Sequence, residues 1–418
     1  MVISSVLDNG VRIITETMPG VRSVSLGVWV KAGSRQDPPE HAGIAHFTEH
    51  MMFKGTPNRS ASQIAREIDA LGGVLNAQTA KEYTVYYVKV LDEHLDKAGD
   101  ILFDLFLHSS MDADELEKEK KVVLQEIRMT EDTPDDYITD LFAEAFFENS
   151  SLGTSILGSQ ESVSSFKREH VTDFIDHFYA PGDIVISAVG NVEHSRLVDL
   201  IAHRFDSIPR TSSVPAEDMA PSFKGSTKFY FKDIEQVHIT LGATGAAMND
   251  ERRWTYIVLN TMLGGSMSSM LFQEAREKLG LVYSIYSYLS SYRDCGVMAM
   301  YAASTPNNIH KTLEVIGTQM KRLKTGDLAG ESIDDIKTQI KGNLLLSRES
   351  TISRMSSIAK NEIYYNREVS MEEVLEKIQA VTLDDMIALA NDIFLTDQLT
   401  LVCLGKMDQG ELNLTGLM

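Results

Sequence analysis

The chain has 418 residues, with 60 acidic against 39 basic side chains and a formal net charge of −21. Hydrophobic residues make up 43% and charged residues 24%, ordinary globular proportions that exclude a disordered chain, a fibre or a coiled coil. The acidic excess argues against nucleic acid and anionic membrane as partners and suits basic ligands. The length allows about two to three domains. Two cysteines, Cys295 and Cys403, are too few for a disulfide framework or a cysteine metal site. The opening Met1–Gly10 has neither a basic targeting segment nor a long apolar one. No run reaches the roughly 18 apolar residues that span a bilayer, so a soluble, cytoplasmic protein is expected.

Taken in chain order, the first thirty residues alternate like strands, at Val11–Thr17 and Val24–Val30 with a turn at Pro19-Gly20. Helical periodicity follows at about 41–54, 60–71, 92–107 and 112–130, with strand-like runs at 74–90 and 184–190. The stretch 211–223, poor in apolar residues and holding two prolines, reads as a linker near the midpoint. Beyond it a similar order recurs. The helix-to-strand passage from Val171-Thr172 to Gly190 has a counterpart from Val381-Thr382 to Gly405, 210 residues later. The charged helix 112–130 likewise has a partner beginning at Ser332. The expected fold class is therefore α+β, as two similar domains (1–210 and 224–418), each a mainly antiparallel sheet with helices packed on one side.

One stretch carries chemistry: His46-Phe47-Thr48-Glu49-His50. On a helix, residues four apart lie one turn from each other on the same face, so both imidazoles can reach one metal ion. Glu49 lies close to that face, placed to act on a water without ligating the metal. This is the reverse of the commoner H-E-x-x-H order with the same logic. Alone, the spacing also fits ordinary core or surface histidines. A third ligand is needed, and Glu126 sits in the most apolar part of helix 112–130, beside Val122, Val123, Leu124 and Ile127, where an unpaired carboxylate is costly. Glu119, two turns back on the same face, stands where an outer-shell carboxylate would.

The run His41 to Thr56 resembles the active-site helix of the pitrilysin/insulinase family of zinc peptidases. Within that family the chain looks most like the beta subunit of mitochondrial processing peptidase and its bacterial relatives. In the family the third ligand lies 76 positions after the second histidine, which here is Glu126, and the helper glutamate seven before it is Glu119. The resemblance implies one Zn2+ per subunit on His46, His50 and Glu126, with Glu49 as the base. It also implies an Arg/Tyr pair, matched by Arg276 and Tyr283, that binds substrate and the developing oxyanion. In long relatives the zinc domain and the Arg/Tyr domain lie in opposite halves of one clamshell chain. A chain of half that length then implies a homodimer, each site completed by its partner.

The same resemblance assigns Asn76, Ala77 and Thr79 to an edge strand that pairs with substrate backbone, and Phe53 to the pocket beside the scissile bond. Asp136 and Asp140 match positions that bind a substrate arginine. The expected function is a zinc endopeptidase acting on short or unfolded basic peptides. The alternatives are a non-catalytic scaffold subunit, which usually loses the metal residues, and a catalytic subunit that needs a separate partner chain.

Overall fold

The computed structural model describes residues 1–205, 208, 221 and 223–407; apart from 221 and 223, the linker expected at 211–223 lies outside the described residues. The chain forms two compact units. The first comprises Met1–Met129, Thr154–Glu217 and Leu345–Val369, the second Thr130–Gly153, Asp218–Leu344 and Ser370–Met418. The division therefore does not follow a single cut: one segment from each half clusters with the other half's unit.

The elements up to the midpoint are β1 (Val2–Val6), β2 (Arg12–Thr17), β3 (Ser23–Val30), α1 (Ile44–Met52), α2 (Ala61–Ala70), β4 (Val74–Thr79), β5 (Thr84–Leu91), α3 (Leu95–His108), α4 (Ala113–Asp132), α5 (Pro134–Phe146), α6 (Gln160–Ser165), α7 (Arg168–Phe178), β6 (Ile184–Gly190) and α8 (His194–Phe205). The single strand-like run expected at 74–90 is a hairpin, because a turn closes on the Ala80 amide and the Tyr83 carbonyl. The first sheet runs β1-β2-β6-β3-β5-β4. All its pairings are antiparallel except β2 with β6. β3 and β6 lie inside the sheet and are buried almost throughout, which is why Val24–Val30 and Ile184–Gly190 read as apolar runs.

One face of this sheet carries a large core in which Leu26, Val28, Val88 and Ile186 pack with Leu102 and Leu105 of α3 and with Ile201 and Phe205 of α8. The other face is covered by a helix from the second half of the chain, Thr351–Tyr365, whose Met355, Ile358 and Ala359 pack on Trp29, Val185 and Val189. A buried hydrogen bond joins Ser25 to Thr351 at 2.8 Å, and Arg354 is paired with Glu16.

After the midpoint come β7 (Ser226–Phe231), β8 (Val237–Thr244), α9 (Arg253–Leu263), β9 (Val282–Ser291), β10 (Gly296–Ser304), α10 (Ile309–Thr325), α11 (Ile333–Ser347), α12 (Thr351–Tyr365), α13 (Met371–Ala380), α14 (Leu383–Ile393) and β11 (Thr400–Gly405). The second sheet runs β7-β11-β8-β10-β9, with β7 and β11 its one parallel pair. This is the order of β2-β6-β3-β5-β4, parallel pair included. The repeat read from Val171-Thr172 and Val381-Thr382 is thus α7 to β6 matched by α14 to β11. The exchanged helix on this sheet is α5. Its Ile138, Leu141 and Phe142 pack against Val297, Ala299, Val402 and Leu404. Among the described residues no helix is long and apolar enough to cross a membrane.

The seat of α5 is tight enough to test. A Cβ built on Gly242 in β8 would lie 2.2 Å from the tip of the Phe142 ring, which is itself buried and stacked on Phe146. Gly242→Ala should therefore lower stability by about 1–3 kcal/mol in urea titrations. Adding Phe142→Leu should recover part of that loss.

Candidate active site

α1 is nine residues long and buries Ile44, Ala45, Phe47, Met51 and Met52 in the first core. That burial fixes its roll, so His46, Glu49 and His50 project from the remaining face. The two imidazoles lie edge to face with ring centroids 4.5 Å apart. α4 buries Leu116, Glu119, Val123 and Ile127, a helical stripe that turns Glu126 beside the histidines. The Glu126 Oε2 atom is 3.9 Å from His46 Nε2 and 3.6 Å from His50 Nε2. One donor atom from each of the three lies within 4.8 Å of the others, and among the described residues this is the one such group of three or more acidic, histidine or cysteine side chains.

Glu119 acts behind this group. Its Oε1 is 2.7 Å from His50 Nδ1 and its Oε2 is 2.5 Å from Lys54 Nζ. An ionised carboxylate only accepts, so His50 donates through Nδ1, which leaves Nε2 as the ring nitrogen facing Glu126. Burial pushes the Glu119 carboxyl up, but the hydrogen bonds from His50 and Lys54 outweigh it and hold the group below the usual range. For His50, burial pulls down and is outweighed by the Glu119 hydrogen bond and the neighbouring carboxylates, for a net rise. His46 differs: burial first, then the nearby His50, depress it to about 3. It is therefore neutral, the form that binds metal. Two imidazole nitrogens and one carboxylate oxygen converging at a half-buried point form a His2Glu donor set, which suits zinc and leaves a fourth position open.

Glu49 turns toward β4. The Thr79 hydroxyl donates to its Oε2 at 2.5 Å, and the Thr79 backbone adds a second hydrogen bond. Burial raises the Glu49 carboxyl above the usual carboxylate range, and the Thr79 hydrogen bonds and His50 only partly offset it. β4 is an edge of the first sheet, paired on one side with β5. Within it Asn76 is exposed, and its side chain accepts from the Ala77 amide at 2.8 Å. Phe53 caps α1 and is packed against the core, its ring 6.4 Å from Tyr86.

The remaining site candidates lie in the second unit. Arg276 is on a π-helical turn, Phe272–Lys278, a form frequent at functional sites. Its guanidinium sits 4.7 Å from the Phe272 ring centroid and 5.3 Å from that of Tyr283, so Arg276 and Tyr283 do come together. Tyr283 stands where the β9–β10 register shifts, between the partners of Ala303 and Ser304. Such a bulge re-aims a side chain, and Tyr283 is 77% exposed on its strand. Asp136 and Asp140 lie one turn apart on α5, Asp136 exposed and Asp140 half-buried. Sequence reasoning missed two contacts, the Lys54 grip on Glu119 and the Thr79 tie to Glu49. Both join residues whose separation follows no helical or strand period.

Residues 12–160 match the insulinase (peptidase family M16) domain, and residues 165–340 the peptidase M16 inactive domain. Across 389 residues the chain is 43% identical to the uncharacterized zinc protease YmxG of Bacillus subtilis, spanning 93% of this chain and 95% of that protein. The chain belongs to peptidase family M16. It is also 39% identical to the uncharacterized zinc protease SCO5738 of Streptomyces coelicolor, over 93% of this chain and 86% of that one. Among solved structures, a protease from Helicobacter pylori shares the fold, with a TM-score of 0.91 at 23% identity over 97% of this chain and 99% of that one.

The Glu119 contacts give this M16 site a measurable signature. Glu119→Gln should weaken zinc binding by about 10–100-fold in chelator competition. A carboxyl whose pKa is lowered on folding stabilises the fold above its unfolded value, and that increment disappears as pH falls through the folded one. Metal-free wild type should accordingly lose stability on acidification through and below the ordinary glutamate range. Metal-free Glu119→Gln should lack that increment.

Proposed function

We propose that this M16 chain is a zinc-dependent endopeptidase of the cytoplasm that hydrolyses short or unfolded, basic peptides. The observation that carries the reading is the convergence of His46, His50 and Glu126 with Glu49 beside them. Those three residues would hold one zinc ion per subunit, which when bound supplies the Lewis acidity that makes a water nucleophilic near neutral pH. Glu49 accepts the proton of the attacking water and returns it to the departing amine, as a carboxylate raised toward neutrality by burial is suited to do. Thr79 holds Glu49 on the side facing β4. The open edge of β4 adds the substrate as one more strand, so main-chain hydrogen bonds align it with little demand on sequence, and Phe53 lines the pocket beside the bond that is cut.

Arg276 and Tyr283 complete the site from the partner subunit of a homodimer. The guanidinium anchors the peptide backbone, and the exposed phenol donates to the oxyanion as it forms. Asp136 and Asp140 bind an arginine side chain of the substrate, in keeping with the net charge of −21. The intact metal set and the Arg276–Tyr283 pairing support an enzyme over a scaffold subunit.

Purified wild type should cut arginine-containing peptides, with products read by mass spectrometry. Glu49→Gln should cut none while still binding zinc. No cutting by wild type with zinc bound would overturn the reading. For the dimer, Glu49→Gln and Tyr283→Phe should each be impaired when alone. Co-expressed with different tags and purified as the mixed dimer, they should recover about half of wild-type activity, because one of the two sites is then whole. No recovery would place Tyr283 in the same chain as the zinc site it serves.

A further inference from the structure

The two histidines of α1 are held by different means. His50 is fixed through its ring by Glu119, which Lys54 holds in turn. The Nδ1 atom of His46 is buried and, among the described residues, has no hydrogen-bond partner, so nothing behind that ring aims it. Its placement comes from the backbone of the first turn of α1, one residue after Ala45.

That first turn is anchored from outside the helix. Gly43, which precedes it, has φ of 92° and supplies no cap. Its backbone runs so close to the neighbouring segment that a Cβ would lie 2.5 Å from the Leu157 carbonyl oxygen. The cap comes instead from Asp37, six residues upstream. Its Oδ2 accepts the Gly43 amide at 2.7 Å and its Oδ1 the Ala45 amide at 3.0 Å. Both carboxyl oxygens are thus committed to the start of the metal-binding helix. Asp37 is almost wholly buried. Burial pushes its carboxyl up to about 8, while the two amides and the charge of Lys81 pull against that.

We propose that Asp37 is a positioning residue for the metal site: by gripping the Gly43 and Ala45 amides together it sets the direction of His46, as Glu119 does for His50. The inference rests on His46, His50 and Glu126 being the zinc ligands. It assigns the brace a role in metal affinity and turnover as well as in stability. Asp37→Asn keeps the shape, but a carboxamide can accept only one of the two amides. The other then faces an NH2 group.

The test measures zinc binding by chelator competition, with kcat and KM on an arginine-containing peptide, for wild type and Asp37→Asn. Amide hydrogen exchange at Gly43 and Ala45 is followed in metal-free wild type. The variant should bind zinc at least about tenfold more weakly, and its kcat should fall while KM stays within about twofold, since β4 is untouched. The two wild-type amides should exchange slowly before metal is added. A folded Asp37→Asn with unchanged zinc affinity and kcat would overturn the proposal. So would fast exchange of both amides in the metal-free wild type, a result that does not depend on the variant folding. Failure of wild type itself to bind zinc would instead overturn the metal site, and the inference with it.

Discussion

A nine-residue helix must present two imidazoles to one point, and the chemistry of the first unit depends on that requirement being met. Helical periodicity places His46 and His50 on the same side but does not fix the roll of the helix, the rotation of each ring or the tautomer of either. The roll is set by burial of Phe47, Met51 and Met52. The His50 ring and tautomer are set by Glu119, whose other oxygen is taken by Lys54. Desolvation leaves His46 neutral. Packing, hydrogen bonding and burial each supply one condition, and a metal site of this type needs all three together.

Glu49, the proposed base, has a separate support. Glu49 is tied to Thr79, the last residue of β4, so the carboxylate is positioned by an edge strand of the first sheet. A shift in that strand would therefore move Glu49 with it. The second unit repeats the sheet order but uses its equivalent edge strand differently. In β9 a bulge turns Tyr283 out beside Arg276, and among the described residues no second metal-binding group accompanies it. Duplication with divergence thus gives one unit the candidate metal-binding helix and the other an arginine and a phenol. Helices α5 and α12, each packed on the sheet of the opposite half's unit, interleave the two copies along the chain.

Much of this was legible in the sequence. The i, i+4 histidines, the carboxylate amid Val123 and Ile127 and the glutamate two turns before it are periodic signals, and periodicity is what a sequence displays. The repeat was visible for the same reason: α7–β6 and α14–β11 have matching helix-to-strand patterns. The hairpin at 74–91 was not, because Ala80–Tyr83 holds none of the usual Gly, Pro or Asn turn residues. The exchange of α5 and α12 was hidden because an amphipathic helix shows that it has an apolar face and not which sheet that face will cover. Lys54 with Glu119 and Asp37 with the start of α1 are long-range polar contacts whose spacing encodes nothing.

The measurement that bears most directly on the metal site is an anomalous difference map at the zinc absorption edge, from crystals of zinc-loaded protein. One strong peak per chain is expected, within bonding distance of His46 Nε2, His50 Nε2 and a Glu126 carboxylate oxygen, with Glu49 beside it and unbound. A peak ligated by other side chains, or none between these three in protein shown to contain zinc, would contradict that expectation.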